Sequence, residues 1–181
     1  MVDVRGDGSC WAYAVLVGLG LLDHRGQAVP SQRDLRRTAA LRQHMVAEWL
    51  RDPRSYEGFT IEEVYEHQLS PRYSASGDLA QFGRFAGSSA LQAVATVLGV
   101  DIISWNARGL DHTVPVVIEA GRTAYTDGAV GRFTQIWARM EDRNHGRAHI
   151  PLVHVRFDGG AHYHGCVPTT PWPYTPPQWL A

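Results

Sequence analysis

A cysteine at the start of an apolar segment is the residue in this chain best placed for covalent chemistry. Cys10 follows the turn Gly6-Asp7-Gly8-Ser9 and opens an apolar run over 10–22 that predicts a buried helix. A helix N-terminus carries unpaired N–H groups and a partial positive charge, and both favour a thiolate over a thiol. Glycine lets the backbone approach a substrate closely, so the N–H groups around Gly8 and Ser9 are placed to bind a developing oxyanion. An isolated cysteine is more often a small buried hydrophobe, and only its place after this turn favours a nucleophile.

A histidine far downstream supplies the base that a thiol nucleophile needs. His162 follows an apolar segment that predicts a strand, and a turn at Asp158-Gly159-Gly160 that favours a hairpin. A single strand histidine is usually structural. In combination with Cys10, however, this position predicts a cysteine hydrolase, in which His162 accepts the thiol proton and later donates a proton to the leaving amine.

The motif Asp7-Gly8-Ser9-Cys10-Trp11 with Ala14, followed by the distant pair His162-Tyr163, resembles the ovarian-tumour (OTU) family of papain-like cysteine proteases, which are mostly deubiquitinases. The resemblance runs from Asp3 to about Val167. It implies an α+β papain-like fold of the OTU type, with a mixed β-sheet packed between helices and the nucleophile at the N-terminus of the first helix. It also implies the substrate, ubiquitin or polyubiquitin, hydrolysed at the isopeptide or peptide bond after its C-terminal Gly-Gly.

The residue that orients His162 is where the sequence departs from that family. The family usually has Asp or Asn two residues after its histidine, and this chain has His164 there. Asp7 is the other candidate, because some members place an acid before the nucleophile, although its carboxylate is equally suited to holding the turn. Asn106 and Asn144 are weaker alternatives. The sequence leaves the orienting residue open between Asp7, His164 and others.

Two aromatic residues flank the proposed catalytic pair. Trp11 and Tyr163 are candidates to line a narrow slot for the glycines of a substrate, and they are equally suited to the core. The sequence leaves both roles open.

A metal site is the alternative use of the histidines near the C-terminus. His162, His164 and Cys166 alternate along one expected strand, so their side chains share a face and offer ligands that zinc accepts. A structural zinc site needs four ligands, and no other Cys or His pair has ligand spacing. We therefore predict no metal and no cofactor.

The elements that must position these residues are helices in the first part of the chain and strands in the second. Hydrophobic periodicity and capping residues predict helices over 10–22, 31–51, 60–69 and 89–98, and strands over 102–105, 114–119, 123–125, 133–137 and 152–157. This order favours an α+β fold with a sheet against helices. We predict one catalytic domain over 1–167 and a Pro-rich C-terminal tail over 168–181, which is either a linker or is held to the domain by its aromatic residues.

Composition restricts the partners and the compartment. The net charge is −1, which gives no general attraction to nucleic acid or membrane, and we expect a monomer. The chain has two cysteines, and a free Cys10 thiolate excludes a disulfide between them, as in a reducing cytosol. All 17 basic residues are arginine. This composition is typical of a GC-rich genome and prompts the hypothesis of a bacterial effector delivered into a host cytosol, where a protein without lysines also offers ubiquitin ligases no target.

Two other functions remain open at this point. One is an OTU-like module that binds ubiquitin with weak or no catalysis, which His164 in the family's acid position would suit. The other is a self-processing papain-like protease within a larger toxin. Chain-linkage preference is not readable from the sequence, because it depends on surface shape beyond the catalytic groups.

Overall fold

The structure is a computed structural model, and it describes residues 1–4, 8–22, 31–51, 88–108, 112–118, 125–126, 150–158, 162–169 and 174–181. The helix expected over 60–69 and the strand expected over 133–137 lie outside these ranges. None of the helices in these ranges is both long and apolar enough to cross a membrane.

The first helix, α1, is the most deeply buried element. It spans Cys10–Gly18, and all nine of its residues are buried, as an all-apolar helix requires. It ends four residues before the predicted boundary because the chain turns at Gly20, whose φ of +69° only glycine adopts readily. Leu22 still packs in the core beyond this turn.

The two other helices begin and end as their capping residues indicate. Helix α2 spans Gln32–Arg51. Before it, the Ser31 N–H donates to Asp34 Oδ2 at 2.9 Å and the Asp34 N–H donates to Ser31 Oγ at 3.2 Å, which is a reciprocal capping box. Helix α3 spans Ser88–Leu98 and is followed by Gly99 with φ of +65°, the expected C-terminal cap.

Five strands form one mixed sheet in the order β3-β2-β1-β4-β5. Their ranges are β1 Asp101–Arg108, β2 His112–Ile118, β3 Tyr125–Thr126, β4 Leu152–Phe157 and β5 Tyr163–Gly165. The central pair β1–β4 is parallel, and the other three pairs are antiparallel. Strand β4 has the predicted bounds. Strands β1 and β2 begin earlier than predicted, and β1 also ends later, because residues 102–108 pair with residues 112–118.

The sheet is covered on both faces at its centre. Successive residues of a strand point to opposite faces, and the neighbours Ile102 and Ile103 of β1 are both fully buried. Ile102 belongs to the main hydrophobic core together with α1, α2 and α3. The prediction of an α+β fold with a mixed sheet between packed layers is therefore confirmed.

Helix α1 lies against β4 and β5 at very short range. A Cβ atom added to Gly165 would lie 2.6 Å from Val17 Cγ1, and one added to Gly18 would lie 2.6 Å from Val153 Cγ1. Both distances are shorter than packed carbon atoms tolerate. Glycine at these two positions therefore sets how close the cysteine-bearing helix comes to the histidine-bearing strand.

The first residues of the chain extend the sheet beyond β5. The Val2 N–H donates to the Gly165 carbonyl at 2.7 Å, and the Gly165 N–H donates to the Val2 carbonyl at 3.0 Å. This isolated bridge places Asp3 beside the histidines that precede Gly165 on the sheet edge.

Residues 174–181 pack on the domain. The Tyr174 hydroxyl donates to the Leu98 carbonyl at 3.2 Å, and the Trp179 ring stacks on His44 at 3.9 Å between centroids. Leu180 is fully buried, and its carbonyl accepts from Arg37 Nε at 2.9 Å. Of the two alternatives for this segment, its aromatic residues hold it to the domain.

Candidate active site

Cys10 is the first residue of α1, and the turn before it has the conformation that its glycine allows. Gly8 has φ of +80°, a left-handed conformation that disfavours any other residue. The Ser9 carbonyl accepts from the N–H groups of Ala12 at 2.9 Å and Tyr13 at 3.1 Å, which starts the helix. The Cys10 side chain has no solvent-exposed surface. Cys10 therefore lies at a helix N-terminus, as predicted, but has no contact with solvent.

A buried arginine from α2 holds this turn. Arg42 has no exposed surface, and its Nη2 donates to Ser9 Oγ at 3.0 Å and to the Gly8 carbonyl at 3.3 Å. Its guanidinium carbon lies 5.3 Å from the centroid of the Trp11 ring, within the range of a cation–π interaction. These contacts hold the two residues that precede Cys10.

The sequence analysis did not identify Arg42, although a signal was present. It lies seven residues after Leu35 and four before Val46, two apolar residues that mark the buried face of α2. An arginine on the apolar stripe of a helix has a partner in the interior, because a buried charge without one is costly. Here the partners are the carbonyl and hydroxyl of the catalytic turn.

Trp11 and Tyr163 are both buried among core residues. Trp11 lies beneath Arg42 with no exposed surface. The Tyr163 ring packs against Phe157 at 4.8 Å between centroids. Burial, and to a lesser extent the negative charge of a Cys10 thiolate, raise the pKa of Tyr163 well above its usual value. The phenol therefore stays protonated. The effect of Cys10 on Tyr163 also shows that β5 lies close to Cys10.

His162 is held by carboxylates through its ring and its backbone. Its Nε2 lies 3.1 Å from Asp3 Oδ1. Its backbone N–H donates to Asp158 Oδ1 at 3.1 Å, and its carbonyl accepts from the Asp158 N–H at 3.0 Å. The pairing between residues 158 and 162 closes β4 onto β5, as the predicted hairpin required. With Nε2 bonded to a carboxylate, Nδ1 is the nitrogen available to exchange a proton with a thiol.

His164 lies on the same face as His162, as the alternation predicted. Its Nδ1 is 3.3 Å from the same Asp3 oxygen, and the two imidazole rings meet edge to face at 4.6 Å between centroids. Although it is close to this carboxylate, His164 Nδ1 is buried and makes no hydrogen bond to any described residue, because the angles to Asp3 are unfavourable. His164 therefore shares the carboxylate with His162.

Asp3 is the site residue that the sequence analysis missed. Its partner His162 is 159 residues away in sequence, so no local spacing connects them. The one available signal is the apolar–polar–apolar alternation of Val2, Asp3 and Val4, which is typical of a short edge strand. Asp7, the acid considered instead, lies outside the described residues, as does Asn144.

Cys166 is a second free cysteine and differs from Cys10 in its surroundings. Its side chain is half-buried, and burial raises the pKa of its thiol, with smaller opposing effects from the N-terminal amine and Arg156. A raised thiol pKa disfavours the reactive thiolate. Cys166 therefore serves as an internal reference for any reaction at Cys10.

Comparison with solved structures relates the fold to one family. The chain aligns over 91% of its length with 92% of a chain in the crystal structure of an OTU deubiquitinase from Wolbachia pipientis wMel bound to ubiquitin, with a TM-score of 0.50 and 13% sequence identity. It aligns over 90% of its length with 81% of the OTU domain of OTUD1, with a TM-score of 0.45 and 18% identity. No family model and no curated protein matches the sequence. The alignment with the Wolbachia protein shows that the chain has an OTU fold, as its motifs predicted.

Proposed function

We propose that this chain is a cysteine protease of the OTU family, a deubiquitinase that hydrolyses the isopeptide or peptide bond after the C-terminal Gly-Gly of ubiquitin. The observation that carries the proposal is the 3.1 Å contact between Asp3 Oδ1 and His162 Nε2. His162 is the residue before β5, and β5 packs against α1, which begins at Cys10. The contact with Asp3 supports the role of an oriented base for His162, next to the strand that packs against the helix of Cys10.

The proposed reaction gives the two ring nitrogens of His162 different partners. With its Nε2–H donated to Asp3, His162 accepts the thiol proton of Cys10 on Nδ1. The thiolate attacks the carbonyl carbon of the last glycine, and N–H groups of Cys10 and the preceding turn bind the oxyanion. His162 returns the proton to the leaving amine, which departs as the C–N bond breaks. A water molecule, deprotonated by His162, then hydrolyses the thioester and releases the carboxylate and the free thiol.

Asp3 also bears on the non-catalytic alternative. The argument for a binding module rested on His164 in the family's acid position, because an imidazole stabilises a protonated histidine less than a carboxylate does. With the Asp3 carboxylate at 3.1 Å, His162 does not depend on His164 for this. This contact therefore favours catalysis over a binding module.

The burial of Cys10 sets a condition on the substrate. Because the thiol has no exposed surface, a substrate carbonyl reaches it only if the residues around Cys10 move apart. An extended Gly-Gly tail has no side chains and is the least bulky peptide that can enter such a space. We propose that ubiquitin or polyubiquitin is the partner, that the enzyme acts as a monomer, and that it works in a cytosol, including that of a host.

Reaction with ubiquitin carrying a C-terminal electrophile tests the proposal. Wild type, Cys10→Ala and Cys166→Ala are incubated with the probe and analysed by intact mass. We expect one covalent adduct with wild type and with Cys166→Ala, and none with Cys10→Ala. Cys166→Ala is the matched control, because it removes the other thiol and leaves the turn and Arg42 in place.

Two outcomes would contradict the proposal. An adduct that survives in Cys10→Ala places the reactive thiol elsewhere. Absence of an adduct from folded wild type, whose thiols still react with a small alkylating agent, excludes a ubiquitin hydrolase. If the full-length parent instead cleaves itself, and Cys10→Ala abolishes that cleavage, the self-processing alternative is the correct one.

A further inference from the structure

We propose that Asp3, His162 and His164 form a three-ligand site for a divalent transition metal, with zinc as the best match, and that metal binding there switches off the Cys10–His162 pair. The inference builds on the proposed function, because it concerns the same histidine. It differs from the metal site weighed from the sequence, since Asp3 takes the place of Cys166.

The donor atoms have the separations that a small cation needs. Asp3 Oδ1 is 3.1 Å from His162 Nε2 and 3.3 Å from His164 Nδ1, and the three donor atoms all lie within 4.8 Å of one another. Zinc binds imidazole nitrogen and carboxylate oxygen at about 2.0–2.2 Å, so the donors of a tetrahedral ion are ~3.4 Å apart. The two measured separations from Oδ1 are close to this value. Shifts of a few tenths of an ångström would admit the ion.

His164 supplies an independent reason for a ligand. Its Nδ1 is buried and has no hydrogen-bond partner among the residues that the structure describes, although it lies 3.3 Å from a carboxylate oxygen. A buried polar atom without a hydrogen bond is unfavourable. A metal ion between Nδ1 and Asp3 would satisfy this nitrogen, and the proposed hydrolysis assigns no step to it.

The exposure of the three residues allows an ion to enter and to leave. The side chains of His162 and His164 are 20% and 21% exposed, whereas that of Asp3 is 84% exposed. The two imidazoles are thus mostly buried, whereas the carboxylate is an exposed ligand that can move away from the ion. With three protein ligands, water occupies the fourth position of a tetrahedral ion, which is the arrangement of an exchangeable rather than a structural site.

Inhibition follows from the tautomer that a bound metal selects. Coordination through Nε2 uses the lone pair of that nitrogen, so the single proton of the neutral ring must reside on Nδ1. Nδ1 then cannot accept the proton of Cys10. The ion also replaces the hydrogen bond between Nε2 and Asp3, so the same event removes the base and its orienting partner.

Metal binding is tested on the full chain carrying Cys10→Ala, which removes the nucleophile as a competing ligand. Zinc is titrated by calorimetry, and cobalt(II) is titrated by visible absorption, which reports its coordination geometry. We expect one site per chain with the spectrum of a tetrahedral ion bound by nitrogen and oxygen. Asp3→Asn and His164→Gln, each added to this background, should weaken binding by at least about 10–100-fold, the loss that even outer-shell changes cause.

Matched controls separate this site from other histidines and from misfolding. His44→Gln removes an imidazole on α2 and should leave the affinity unchanged. Asp3→Asn alters a highly exposed side chain, so its thermal unfolding should match that of the parent. Equal zinc affinity in the parent, Asp3→Asn and His164→Gln would overturn the site.

Inhibition has its own readout in the protein that retains Cys10. Zinc should slow the alkylation of Cys10 by iodoacetamide in a Cys166→Ala variant, where Cys10 is the one cysteine left, and a chelator should restore the rate. Zinc binding without this slowing would overturn the inhibitory role. Because the binding titration uses neither ubiquitin nor Cys10, failure of the metal site and failure of the proposed hydrolase give different results.

Discussion

Two histidines on neighbouring strands show how their partners set what each ring can do. His154 on β4 accepts a hydrogen bond on Nδ1 from Trp105 Nε1 at 3.0 Å, and burial lowers its pKa. His162, at the start of β5, has the Asp3 carboxylate at 3.1 Å from Nε2. A donor and an apolar environment keep the first ring neutral, whereas the second ring contacts an exposed carboxylate that it shares with His164. The same side chain is thus structural in one strand and suited to proton transfer in the next.

The largest effect should come from exchanging each histidine for glutamine. His162→Gln removes the base, and we expect the rate of reaction with the ubiquitin probe to fall about 10²–10⁴-fold, the usual contribution of general acid–base catalysis. His154→Gln keeps an acceptor for Trp105 and should change the rate by less than about threefold. Second-order rate constants from mass spectrometry measure both. Equal losses in the two variants would contradict the contrast.

A smaller effect should follow from Asp3→Asn, which keeps the size of the side chain and removes its charge. We expect the rate to fall about 10–10³-fold, less than the ~10⁴-fold loss when the buried acid of a serine-protease triad becomes an amide, because Asp3 is 84% exposed. The free energy of unfolding should stay within about 0.5 kcal/mol of wild type. Assays in excess chelator keep metal effects out. An unchanged rate would return the orienting role to Asp7 or His164.

A buried and an exposed arginine of α2 can be compared for their effect on stability. Arg42→Met keeps the bulk of the side chain but loses the hydrogen bonds to Gly8 and Ser9, and we expect a loss of about 2–3 kcal/mol in the free energy of unfolding. Arg51→Met breaks an exposed pair with Glu48 and should cost less than about 1 kcal/mol. Urea unfolding measures both. Similar costs would mean that Arg42 does not hold the turn.

The smallest effect is the contribution of His154 to the pH dependence of stability. Because burial lowers its pKa, the unfolded chain binds more protons than the folded chain between that lowered value and about 6.5, so stability falls as the pH drops below about 6.5. His154→Gln, which does not titrate, should flatten this part of the profile. Urea unfolding of both proteins between about pH 7.5 and 5.5 tests this. An identical slope in the variant would assign the effect to other groups.

The sequence was most informative where the interactions are local. The capping box at Ser31 and Asp34, the cap at Gly99 and the alternating pattern of β4 involve neighbouring residues, and the structure confirms each of them. The alternation that places His162 and His164 on one face is also local, and it is confirmed.

The rest could not be predicted because it depends on contacts between distant segments. The strand order and the antiparallel pairing of β1 with β2 are properties of the assembled sheet, and they account for the longer strands. Asp3 reaches His162 only through the bridge between Val2 and Gly165. Arg42 contacts Ser9, which is 33 residues away in sequence, and the one indication of this contact was an arginine on the apolar side of a helix.

The bridge between Val2 and Gly165 has a consequence for the protein during its synthesis. A ribosome releases the Cys10 segment early, but β5 and its histidines emerge only after more than 150 further residues. Contacts this distant in sequence form late, because they must first close a long loop. A nascent or truncated chain therefore carries a thiol without its base. The proposed Cys10–His162 pair assembles only after β5 has been synthesised, and two fragments divided between α3 and β4 would each lack one member of the pair.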